Sequence, residues 1–164
     1  MAFSEQDALF MREALRQAEL AYACDETPVG AVLVWEGEII AAAYNRRETD
    51  KSALAHAECL AIGEACRKLG GWRLHKATLY VTLEPCPMCA GAIINARIAR
   101  VVYGANDPKA GCCGSVTELF SFPFNHRPIV ESGLLEDECR ELLTGFFREM
   151  RAKRKALKTV DATD

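Results

Sequence analysis

Two short motifs, His56-Ala57-Glu58 and Pro85-Cys86-Pro87-Met88-Cys89, constrain this chain more than anything else in it. Cys86 and Cys89 are three residues apart, so on a helical turn they face one side and can grip a single ion. His56 adds an imidazole, and the three donors together have the softness that suits Zn²⁺. Three ligands leave one tetrahedral position open for water, as a metal that performs chemistry requires; a structural zinc closes all four. His56 and Glu58 stand two residues apart, which on a helix turns them about 200° from each other. Both reach one ion only if that helix aims its N-terminus at the site. The spacing predicts two helix N-termini converging on one zinc, with Glu58 managing protons beside it. The orphan N–H groups and positive pole of a helix start also favour thiolates. The sequence reads as a hydrolytic zinc enzyme.

At 164 residues, half of them apolar, the chain is long enough for one domain with a real core over 1–164. Its acidic start, Ser4-Glu5-Gln6-Asp7, is unlike a signal peptide. No stretch approaches the ~20 apolar residues that cross a bilayer, so a cytoplasmic location away from membranes is expected. In that reducing setting Cys24, Cys59, Cys66 and Cys139, in or beside helical stretches, are expected as small unbridged hydrophobes. Cys112-Cys113 reads as a small-residue pair in a loop flanked by Gly111 and Gly114. The net charge of −3 hides an asymmetry. Residues 148–158 carry Arg148, Arg151, Lys153, Arg154, Lys155 and Lys158 against Glu149 alone, while the first 147 residues hold 14 bases and 20 acids. A basic C-terminal helix on an acidic body can serve as a local phosphate-binding surface.

Residues 4–23 predict a helix with Ser4 as N-cap and Asp7 completing the cap, burying Leu9, Phe10, Ala14, Ala18 and Ala21. Val29–Trp35 and Glu38–Tyr44 are β-rich runs joined by Glu36-Gly37, a two-residue hairpin connection. A helix over 55–69 stops at Gly70-Gly71. Strand Ala77–Leu83, helix Cys86–Ala96 and strand Ala99–Gly104 follow, favouring a right-handed parallel crossover. Residues 105–127 are loop-rich with a short helix near 115–120. A strand near 128–131 then precedes helical segments over about 135–144 and 145–158. Alternating strands and helices point to a three-layer α/β domain.

The two motifs together resemble the signature of the zinc-dependent cytidine and nucleobase deaminases. The likeness extends through Pro28-Val29-Gly30-Ala31-Val32, Ala43-Tyr44-Asn45, Thr82-Leu83-Glu84-Pro85-Cys86, Arg100-Val101-Val102-Tyr103-Gly104, Asn125-His126-Arg127-Pro128 and Phe146-Phe147-Arg148. Over nearly the whole chain it is similar to the bacterial tRNA adenosine deaminases, the TadA family. That resemblance implies a three-layer αβα cytidine deaminase-like fold with a mixed sheet of about five strands, and a homodimer with one Zn²⁺ per subunit. It implies conversion of adenosine to inosine at the wobble position of a tRNA anticodon, in arginine tRNA for most bacterial members. His56, Cys86 and Cys89 are then the metal ligands and Glu58 the proton shuttle. Asn45, Asp107, Asn125, Phe147 and Arg148 are the candidate contacts to the anticodon stem-loop.

Read without the family, Asn45 and Asp107 are turn formers, and Phe146 and Phe147 are core residues of an amphipathic helix. His126 stands between a structural and an RNA-contacting role. Two rivals share the metal motif: a deaminase of free guanine or cytosine, and a non-catalytic zinc-containing RNA-binding subunit. Glu58 argues against the second. The basic helix and the Asn-His-Arg-Pro segment favour a macromolecular substrate over the first.

Overall fold

The computed structural model describes residues 2–163. Helix α1 spans Glu5–Ala23 and begins with the expected capping box: Ser4 Oγ accepts from the Asp7 N–H at 3.0 Å, and the Asp7 carboxylate accepts from the Ser4 N–H at 2.9 Å. Asp7 has a second task. It accepts from the Tyr80 hydroxyl at 2.6 Å and from the Arg100 guanidinium at 2.8 Å, fastening α1 to the sheet. Arg100 holds the Asp7 carboxyl well below the usual carboxylate range, against the cost of its burial.

Five strands follow, β1 (Gly30–Trp35), β2 (Glu38–Tyr44), β3 (Ala77–Leu83), β4 (Arg100–Ala105) and β5 (Ile129–Ser132), in the order β2-β1-β3-β4-β5. β1 is antiparallel to β2 and β3, whereas β3, β4 and β5 run parallel. Helices α2 (Ala57–Leu69) and α3 (Pro87–Ala96) cover one face; α1 and α4 (Glu136–Asp161) cover the other. The period of two along each strand serves both cores. Ala31, Leu33, Leu79, Val81 and Val101 pack with Ala61, Ile62 and Ile93 on the α2/α3 side. Val32, Val34, Tyr80 and Val102 pack with Met11, Ala14 and Cys139 on the other. Gly30 is where α1 lies against β1 most closely: a Cβ there would sit 1.9 Å from the Ala14 carbonyl oxygen.

Three expectations need correction. Leu9 is exposed, and the buried stripe of α1 is Asp7, Met11, Ala14, Gln17, Ala18 and Ala21. Leu9 is two positions from both Asp7 and Met11, which turns it to the solvent side. The two helical segments near the C-terminus are one continuous helix, α4, which passes through Gly145 without a break. A lone glycine costs a helix only about 1 kcal/mol, and Phe146 beside it is buried with its ring 5.4 Å from that of Tyr22. The short helix near 115–120 is a 3₁₀ turn at Leu119–Ser121, preceded by a bridge between Cys113 and Glu118.

Candidate active site

Residues 46–56 leave β2, fold back in turns and enter α2 with His56 as its N-cap; β3 runs into Glu84 and Pro85 and enters α3 with Cys86 as its N-cap. Pro87 suits the first position of α3, where a missing N–H costs nothing. The two helix starts meet. His56 Nδ1 lies 3.5 Å from Cys86 Sγ and 3.6 Å from Cys89 Sγ. All three ligand atoms fall within 4.8 Å of one another, the only such cluster of three or more candidate metal ligands among the described residues. An ion with M–S of about 2.3 Å and M–N of about 2.0–2.1 Å in tetrahedral array separates N from S by about 3.5–3.6 Å. The donor set fits.

The electrostatics follow from this crowding. Hydrogen bonding from the Cys89 thiol, with help from His56, holds the Cys86 thiol down to about 4 against its burial. The Cys86 sulfur in turn raises His56. Glu58, in the first turn of α2, is 4% exposed, and burial pushes its carboxyl up to about 7. Cys59 Sγ lies 3.7 Å from Cys89 Sγ, half-buried and outside the three-donor cluster.

His56, Glu58 and Cys86 line a cavity of about 600 Å³. One wall is Thr27, Val29, Asn45 and Arg47; a second is Ala105–Ala110; a third is Arg140, Leu143, Thr144 and Phe147 of α4. Asn45 Nδ2 donates to the Thr27 carbonyl and its Oδ1 accepts from the Arg47 N–H, both at 3.1 Å, so it shapes its turn while lining the cavity. Asp107 does likewise, its Oδ1 accepting from the N–H groups of Lys109 at 3.0 Å and Ala110 at 3.3 Å. Phe147 is 45% exposed toward the same space, whereas Phe146 is core.

Asn125 and Arg148 are exposed and lie outside the cavity lining. His126 Nε2 donates to the Ile98 carbonyl at 2.6 Å, a structural bond. Cys112 and Cys113 are buried, and burial raises both thiols, so they act as small apolar side chains. Sequence reasoning missed Arg47, Lys109 and Arg140 as cavity residues. For Arg140 a signal existed: it precedes Phe147 by seven residues, about two helical turns, and so shares its face.

Residues 5–151 match the family described as MafB19-like deaminase. A tRNA-specific adenosine deaminase of Bacillus subtilis (strain 168) is 57% identical over 152 residues, covering 92% of this chain and 94% of the relative. The chain belongs to the tRNA-specific adenosine deaminase family. A solved structure from studies of A-to-I editing by tRNA:A34 deaminases at the wobble position of transfer RNA is similar with a TM-score of 0.81 and 51% identity, covering 82% of this chain and 99% of that one. A guanine deaminase of Bacillus subtilis shares the fold at a TM-score of 0.60 and 36% identity, covering 79% and 84% respectively. The cytidine deaminase-like αβα class expected from the sequence is therefore the fold found. The deaminase family match reaches from α1 well into α4 and contains every residue of the cavity wall.

Proposed function

We propose that this chain hydrolyses the amino group of adenosine at the wobble position of a tRNA anticodon, yielding inosine and ammonia. The observation that carries the hydrolytic step is the triangle of His56, Cys86 and Cys89 at tetrahedral spacing, with buried Glu58 beside it in the cavity; the likeness to tRNA-specific adenosine deaminases supports the substrate. The donor set is that of a catalytic zinc, one per chain. When bound, such an ion supplies a water that is nucleophilic at neutral pH.

Glu58 takes one proton from the attacking water and delivers it to ring nitrogen N1, then carries the second proton, from the hydroxyl left on C6, to the amino group, which departs as ammonia. A carboxyl raised to about 7 by burial holds both forms near neutral pH, as a group that is first base and then acid needs. The cavity admits a base taken out of its stack, not a duplex. Asn45 offers a donor and an acceptor on the base side. Asp107 accepts from a ribose 2′-hydroxyl, one means of preferring RNA. Phe147 gives a face for neighbouring bases. Asn125 and Arg148, both exposed, are the proposed contacts to loop nucleotides and phosphates beyond the cavity. The substrate of this reading is arginine tRNA. One domain over 1–164 and a homodimer in the cytoplasm complete it, and sedimentation of the zinc-loaded protein tests the dimer.

Hydrolysis of a free base shares the metal chemistry, so the substrate is the discriminating variable. Deamination rates are compared on an anticodon stem-loop with adenosine at the wobble position and on free guanine, cytosine and adenosine. Turnover confined to the stem-loop is expected. Faster turnover of guanine or cytosine would replace this function with the other.

A further inference from the structure

Glu84 follows β3, two residues before Cys86, and is 1% exposed. A carboxylate removed from water has to be met by donors. All four of those that meet it come from one loop. Oε1 accepts from the N–H groups of Cys113 at 2.9 Å and Ser115 at 3.1 Å, and Oε2 accepts from the Asp107 N–H at 2.8 Å and from the Ser115 hydroxyl. The loop folds onto the carboxylate so closely that Gly111 has no room for a side chain: a Cβ there would lie 2.3 Å from it. The Cys112 N–H adds a bond to the Pro85 carbonyl at 2.9 Å. The near half of this loop, with Asp107, Pro108 and Lys109, is a wall of the cavity.

We infer that Glu84 is a positioning residue for the RNA substrate, pinning the 105–115 loop to the chain that carries Cys86 and so fixing how far the loop's RNA contacts stand from the reacting base. The inference rests on the tRNA deaminase reading. A carboxylate only accepts, and four donors surround this one; glutamine would turn an NH₂ toward two of them. Glu84 borders the cavity, but all four donors on its carboxylate come from the loop, so it acts through the loop, and its loss weakens binding and leaves proton transfer alone.

Glu84→Gln, Asp107→Ala and the double variant, zinc-loaded, are assayed on the stem-loop with wobble adenosine, and amide hydrogen exchange is followed in parallel. Glu84→Gln is expected to raise KM about ten-fold, the weight of one charge-assisted hydrogen bond. Its kcat stays within about two-fold and its zinc content is unchanged. The amides of Asp107, Cys113 and Ser115 exchange faster while those of α2 and α3 do not. Asp107→Ala adds little in the Glu84→Gln background, because both changes act on one contact. An unchanged KM, a loss confined to kcat, or losses that simply multiply would overturn the inference. Should Glu84→Gln not fold, Ser115→Ala removes one donor and leaves the carboxylate; a wild-type KM in that variant overturns it equally. Wild-type protein that leaves the stem-loop unconverted overturns the deaminase reading instead. Unchanged loop exchange in Glu84→Gln overturns this inference whatever the substrate.

Discussion

Glu58 sits where water cannot solvate its charge, beside the His56 imidazole and the Cys86 sulfur. Replacing it with glutamine keeps the volume and removes the proton acceptor. Glu58→Gln is expected to lower kcat by about 10²–10⁴-fold while zinc content and stem-loop affinity stay at wild-type levels, checked by metal analysis and equilibrium binding. Near-native turnover would assign the proton transfers elsewhere. The cluster of His56, Cys86 and Cys89 was legible because its chemistry is local: a donor pair on one helical turn and a second motif with a matching need for a helix start. Glu84 was not legible. Its donors lie 23 to 31 residues further along the chain, and only the packing of β3 against β4 brings that loop over it.

Among elements, the hairpin and the central strands were readable because turn chemistry and period-two alternation both mark them. Glu36 and Gly37 take positive φ, 50° and 83°, as a tight two-residue connection requires. α4 runs through the boundary expected between residues 144 and 145, where Phe146 anchors it in the core beside Gly145. That glycine has room: a Cβ there would meet only the Tyr22 hydroxyl, at 3.8 Å. Gly145→Ala is expected to stabilise the fold by about 0.5–1 kcal/mol, raising Tm by a few degrees in a thermal melt. The junction of α1 with the sheet carries a pH signature. Asp7 has a folded pKa below its unfolded value of about 3.9, so its contribution is complete above that pH, shrinks as pH falls below it and is lost as pH falls through the folded value. Between pH 7 and pH 3, denaturation in urea is expected to show a fall in stability about 1 kcal/mol larger in the wild type than in Asp7→Asn. Equal pH sensitivity in the two proteins would contradict this role.

For the molecule as a whole, an acidic body carries a basic arm. The last turns of α4 are exposed, and among their cations Lys153 pairs with Asp25 at 3.1 Å. Phosphate contacts release counterions, so tRNA affinity is expected to fall steeply with salt, and neutralising the cations of 148–158 to flatten that slope. An unaltered slope would remove the arm from RNA binding. Among the described residues no helix is long and apolar enough to cross a membrane. Under the proposed function the two helix starts, the cavity and the basic arm act together on a single base of the RNA. The most direct test of this is nucleotide-resolved mapping of inosine in arginine tRNA after incubation with the zinc-loaded protein. Inosine at the wobble position and nowhere else is the expected result; an unmodified wobble adenosine would contradict it.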